Sequence, residues 1–229
     1  MPRFARLVVP GYPHHVTQRG SRRQQTFFDD DDYAAYLDLL AEQLPKADTD
    51  VLAYCLMPNH VHMILVPHAA NSLATLLRRT HARYARRVNR MHDWQGHLWQ
   101  ERFHSFVMDE DHLLAAARYV ELNPVRAGLC GQADEWTWSS VHFHLRGRAD
   151  RLITAGGMRS FVDNWQAYLD EVQSDAKIDD LRRHSRNGRP AGSQSFIREL
   201  EAVSGRQLVR RKPGPKHNLG HCPLSRKYN

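Results

Sequence analysis

Two apolar, β-prone runs, Val51 to Leu56 and His60 to Val66, are separated only by Met57-Pro58-Asn59 in the stretch DVLAYCLMPNHVHMILVP, and no other feature restricts the fold as much. Strand-like runs broken by a Pro-Asn turn predict a hairpin. Side chains alternate along an extended chain, so His60 and His62 share one face while Val61, Met63 and Leu65 share the other. A lone histidine on such a strand usually packs. A His-x-His pair directly after a turn reads equally well as a metal grip.

The hairpin has companions. His14 to Gln18 (HHVTQ) reads as a short strand. Asp29 to Leu44 reads as a helix, with an acidic start and apolar residues at Tyr33, Tyr36, Leu37, Leu40 and Leu44 spaced near 3.6. Asn71 or Ser72 can cap a helix running to about Met91, with Leu73, Leu76, Leu77, Ala82, Tyr84, Ala85 and Val88 along it. After a break at Gly96, Leu98 to Met108 is expected as another strand, and Asp109 opens a helix to about Leu122 that Pro124 ends. The order β, α, β, β, α, β, α predicts an α+β, ferredoxin-like (RRM-like) fold: one antiparallel sheet with helices on it. That topology hosts many functions.

The domain expected over residues 1–145 is followed by an extension, 146–229. The domain closes on WTWSSVHFHL, residues 136–145, read as a packed aromatic strap, and the basic extension is expected to be a DNA-binding element with a short helix at Phe161 to Val172 and another at about Ser195 to Val203. No apolar run approaches the about 20 residues of a membrane helix, and no signal-peptide core precedes the fold, so a cytoplasmic, nucleoid-associated protein is expected. Cys55, Cys130 and Cys222 are odd in number and widely spaced, which argues against a disulfide framework or thiolate zinc site.

Charge is unevenly placed. From Leu181 onward 12 Lys/Arg meet 2 Asp/Glu, a net +10, while the preceding residues carry 20 basic and 23 acidic side chains, a net −3. Between Ser72 and Met91 stand Arg78, Arg79, Arg83, Arg86, Arg87 and Arg90 with no acidic residue. One-sign stretches of this kind suit a polyanion, most simply nucleic acid; the alternative is a solvated face. Trp94, Trp99 and Phe103 are candidates for base stacking or for the core. Arg102 and His104 share a face of the expected strand, and Arg189, in Gly188-Arg189-Pro190, suits a minor-groove arm.

A metal needs more than two imidazoles. Tyr119 and Asn123 lie four apart in ARYVELNPVRAG, hence one turn apart on a helix, which pairs a nucleophile with an oxygen ligand. Phenols ionise near about pH 10, so a tyrosine attacking phosphate needs a cation nearby. Mixed nitrogen and oxygen donors suit Mn²⁺, with abundant Mg²⁺ also acceptable and zinc disfavoured without a carboxylate or thiolate. Tyr84 competes for the nucleophile's role, although its place among arginines and apolar residues suits packing or stacking. Asn123, before Pro124, also suits a plain helix-ending turn.

MPNHVH around His60-Val61-His62, GHLWQERFHS from Gly96, RYVELNPVRAGL from Arg118 and WTWSS near Trp138 occur in that order. Together they resemble the single-tyrosine HUH transposases of the insertion-sequence type, specifically the REP-associated tyrosine transposases, over about Phe4 to Ser140. The resemblance implies that His60 and His62, completed by Asn123, bind Mg²⁺ or Mn²⁺, and that Tyr119 attacks a DNA phosphate. It implies cleavage of single-stranded or hairpin (REP-like) DNA through a 5′-phosphotyrosine and a free 3′-hydroxyl, in a protein that can act as a homodimer. Arg78, Arg79, Arg83, Arg86, Arg87, Arg102 and Arg189 are then the expected DNA contacts. The alternative is a catalytically silent hairpin-binding protein or repressor on the same fold.

Overall fold

The computed structural model describes residues 6–154 and 156–209. Four strands, β1 (His14–Arg19), β2 (Thr49–Met57), β3 (His60–Pro67) and β4 (His104–Val107), form one sheet in the order β2-β3-β1-β4 with every neighbouring pair antiparallel. The hairpin closes on the Met57–His60 pair, which leaves Pro58 and Asn59 as the turn. In the centre of the sheet Thr17 stands opposite His62 and His15 opposite Ile64.

Helix α1 (Asp30–Ala47) joins β1 to β2, and α2 (Ser72–Met91) joins β3 to β4. Asp29 caps α1 by accepting the Asp32 amide at 2.9 Å, and three aspartates in the first turn oppose the positive helix end. Helix α2 buries Leu73, Leu76, Leu77, Thr80, Tyr84 and Val88, an i, i+3, i+4 stripe, against α1 and the sheet. Val16, Val61, Met63 and Leu65 supply the sheet's share of this core. The opposite face, with Ile64 and Phe106, is covered by α3 (Glu110–Glu121) through Leu113, Ala116, Ala117 and Val120.

The stretch after residue 145 shares these cores. Following α4 (Asn123–Arg126) and α5 (Val141–Arg146), α6 (Trp165–Asp170) and α7 (Asp175–Asn187) add Trp165, Leu169 and Leu181 to the α3 side. Helix α8 (Gln194–Ser204) packs Phe196 and Leu200 against Leu7, Val9 and Val107. Among the described residues no helix is long and apolar enough to cross a membrane. Residues 210–229, which carry much of the basic tail, lie outside the described residues.

Three expectations need correcting. The strand expected over Leu98 to Met108 exists only at His104–Val107. Upstream, the chain crosses the sheet edge as a loop, touching β1 through a Gly20–Trp99 bridge and the Gln100 amide on the Arg19 carbonyl, and Glu101 adopts φ 54°, which a regular strand cannot contain. The helix expected over Phe161 to Val172 is only Trp165–Asp170, because Asn164 caps it by accepting the Ala167 amide and Val172 is 96% exposed. Asn123-Pro124 does not merely end α3: a proline lacks the amide that α3 would need but fits the first turn of a helix, and α4 restarts there.

Candidate active site

The two histidines point from the centre of the sheet toward α3. His60 Nδ1 lies 2.6 Å from the Asn59 side-chain oxygen, which can only accept, so the proton sits on Nδ1 and Nε2 keeps its lone pair. His62 Nδ1 lies 3.0 Å from Nε2 of His15, and these rings stack 5.2 Å apart. The His60 and His62 ring centres are 4.8 Å apart. Burial, helped by the positive charge of Arg19, pushes His60 down to about 3, and burial with the neighbouring histidines and arginines pushes His62 well down too. Both rings are therefore neutral at physiological pH, the form that can coordinate a cation.

Helix α3 delivers Tyr119 to the same place. Its ring centre is 5.7 Å from that of His62 and 6.3 Å from that of His15, in both cases edge-on. The Arg126 guanidinium lies over the Tyr119 ring, 4.3 Å from its centre, and donates to the Tyr119 backbone carbonyl. Arg182, on α7, borders the same cleft as Tyr119 and donates to Asp179 at 3.2 Å. The helical break after α3 turns Asn123 inward, where its side-chain nitrogen is buried without a hydrogen-bond partner.

These groups line one cleft of about 650 Å³, which Arg19, Arg23, Arg126, Arg182 and Arg186 also border. Positive charge from three separate places in the sequence, Arg19 with Arg23, Arg126, and Arg182 with Arg186, thus converges around the phenol and the imidazoles. Among the described residues no third His, Cys, Asp or Glu joins His60 and His62 in a metal-holding group, so the Asn123 amide is the further protein donor at hand. Neutral imidazoles and the Asn123 amide oxygen suit a divalent cation of the Mg²⁺ or Mn²⁺ type, whereas the unpartnered amide nitrogen is a hydrogen-bond donor and would not hold it.

The other candidates divide. Tyr84 is fully buried and donates its hydroxyl to the Thr26 carbonyl at 2.7 Å, so it is a core residue far from any role as nucleophile. Arg83 pairs with Glu42 and Arg87 with Asp32, both on α1, whereas Arg79 and Arg86 face solvent. None of the α2 arginines borders the cleft. Arg102 precedes β4 and, with Arg78, lines a second cavity, while His104 lines the cleft, so the shared strand face does not exist. Arg189 donates to the Leu208 carbonyl at 3.0 Å. The sequence reading missed His15, Arg19, Arg23, Arg126, Arg182 and Arg186. For the first two the signal was present: β1 alternation sets His15, Thr17 and Arg19 on one face, and only the register that puts Thr17 beside His62 was lacking.

Comparison with known proteins gives a family model described as "Transposase IS200 like", matching residues 9–123. A Haemophilus influenzae protein named as a REP-associated tyrosine transposase is 25% identical over 104 residues, covering 41% of this chain; the chain spans 59% of that relative's length. A solved REP-associated tyrosine transposase bound to a REP hairpin superposes with a TM-score of 0.56 at 19% identity, over 68% of this chain and 92% of the other, which shows a common fold. A Deinococcus radiodurans structure described as a transposase gives a TM-score of 0.38 at 19% identity, over 52% of this chain and 95% of the other.

Proposed function

Because the chain belongs to the IS200-like transposase family, we propose that it cuts and rejoins single-stranded DNA at the foot of a REP-like hairpin, with Tyr119 as nucleophile. The observation that carries this reading is the meeting of Tyr119, the His60–His62 pair and five arginines in one cleft. A relative of the same fold was solved on a REP hairpin, which supports the choice of DNA.

The residues divide the work. Arg19, Arg23 and Arg186 border the cleft, where they hold backbone phosphates and set the register of the strand. Arg182 borders the cleft beside Tyr119, where its positive charge offsets the negative charge gathering at the phosphate under attack. Arg126, stacked on the ring and bonded to the Tyr119 carbonyl, fixes the side chain's direction. The phenol oxygen bonds to phosphorus, the bond from phosphorus to the 3′ oxygen breaks, and that oxygen takes up a proton. The products are a 5′-phosphotyrosine and a 3′-hydroxyl, and the retained phosphodiester lets the reaction run backward. His60, His62 and Asn123 would hold the divalent cation, which when bound polarises the scissile phosphate.

The test is a covalent adduct. Labelled hairpin DNA with a single-stranded flank, incubated with the protein and Mn²⁺ or Mg²⁺, should give an SDS-resistant complex. Tyr119→Phe should abolish it, and His60→Ala with His62→Ala should reduce it at least about a hundredfold. Tight hairpin binding with no adduct under any metal would instead identify a silent binding protein. An adduct surviving Tyr119→Phe would refute the assignment.

A further inference from the structure

A second cavity, of about 740 Å³, lies on the opposite side of the sheet, between α2 and the loop of residues 96–103 that crosses the sheet edge. Its walls include Leu77 and Ala82 of α2 and Trp99 and Phe103 of the loop, and Arg6, Arg78 and Arg102 stand around it. We propose that this cavity holds an unpaired nucleotide of the same DNA strand, its base against the Trp99 and Phe103 wall and its phosphates at Arg78 and Arg102. The proposal rests on the reading of the chain as a single-strand DNA transferase and adds to it a site of base selection away from the cut.

Charge argues for the occupant. Three guanidinium groups border the cavity, while among its described lining residues Glu101 is the one acidic side chain. Arg6 lies 3.4 Å from the centre of the Phe103 ring and donates to the Phe103 carbonyl. Burial and the charge of Arg102 together pull Arg6 down to about 10, so two cations are crowded in a place that an anion would relieve. An aromatic and aliphatic wall under a cationic rim is the combination single-stranded nucleic acids use, with bases stacked and phosphates paired. The volume falls in the about 300–1,000 Å³ range of small-molecule sites and suits a nucleotide better than a duplex.

Connectivity argues for the same strand. Gln18 borders both the catalytic cleft and this cavity, and its amide donates to the Gln100 carbonyl at 2.9 Å. Strand β4 pairs only with His14 to Thr17 of β1, and beyond it the edge is lined by the loop, through the Gln100 amide on the Arg19 carbonyl and the Gly20–Trp99 bridge. A single strand leaving the cleft, which Gln100 also borders, has only this loop to pass over to reach the cavity. Arg78 and Arg102, which do not reach the cleft, acquire a role on that route.

The test compares two DNAs by fluorescence anisotropy: the bare hairpin, and the hairpin with its single-stranded flank. Ala82→Phe, on the exposed side of α2, fills the cavity mouth, and Arg102→Ala removes a rim charge. Each should weaken binding of the flanked DNA about tenfold and leave the bare hairpin unchanged. With 2-aminopurine placed at successive flank positions, one position should be quenched in the wild type and released in Ala82→Phe. Equal loss on both DNAs, or no loss on either with wild-type cleavage retained, overturns the pocket and leaves the transferase reading standing. A wild-type protein that binds neither DNA overturns both.

Discussion

Glu121→Gln is a substitution whose cost follows from geometry. The carboxylate is fully buried; Oε1 accepts from His144 Nδ1 at 2.5 Å and Ser140 Oγ at 2.6 Å, and Oε2 accepts from the Trp165 indole N–H at 2.7 Å. His144 Nε2 accepts the Met158 amide at 3.0 Å, which fixes the ring proton on Nδ1. Glutamine has the same shape but brings two donors. With its carbonyl on the His144 side it keeps two bonds and turns its NH₂ against the indole N–H; flipped, it opposes two donors. The better arrangement loses one hydrogen bond to a charged acceptor, about 1.5–3 kcal/mol, and weakens the other two. At about 2–4 °C per kcal/mol for a chain of this size, the melting temperature should fall by about 3–12 °C. Circular dichroism melts of the wild type, Glu121→Gln, Trp165→Phe and the double variant check this. In the double variant the amide faces a phenyl ring instead of a competing donor, so its loss should be smaller than the two single losses added, by about 1 kcal/mol. Additivity within about 0.3–0.5 kcal/mol would refute the assigned network.

Acid should destabilise the fold through histidines buried as neutral rings. Burial holds His81 at about 3, against an ordinary value near about 6.5, so its contribution is complete above about pH 6.5 and is lost as pH falls toward 3. Urea titrations at pH 7.5 and 5.5 should show the wild type losing about 1 kcal/mol more than His81→Gln over that interval, and parallel losses would contradict it. For DNA binding, Arg186→Ala, a cleft residue, should shallow the slope of log affinity against log salt by about 0.7, whereas Arg83→Ala, paired with Glu42, should leave it unchanged. A slope change with Arg83→Ala instead would return α2 to the DNA face.

The hairpin, the central strand and helices α1, α2 and α3 were legible because each carries its own period, 2 or 3.6, within a short window. The loop at residues 96–103 was not: Leu98, Trp99 and Phe103 have the composition of a strand but bury themselves by crossing the sheet edge, and only the Glu101 backbone, with φ 54°, betrays it. At the candidate site, the sequence singled out Tyr119, Asn123, His60 and His62, which the fold brings to one cleft. The arginines were harder to place. Those of α2 look like a DNA face because their carboxylates, Glu42 and Asp32, sit on another helix. The arginines of the cleft are dispersed from Arg19 to Arg186 and become a group only through the packing of α7 across α3. A charge count along the chain sees density, and a site needs convergence.

The family-model match ends at residue 123, but the buried apolar surface continues through Trp165, Leu169, Leu181 and Ala191, and Arg182 borders the same cleft as Tyr119. The matched segment and the packed core therefore have different borders. A graft or truncation drawn at the edge of the recognisable family would strip the floor from beneath α3 and leave its tyrosine on an uncovered, aggregation-prone face.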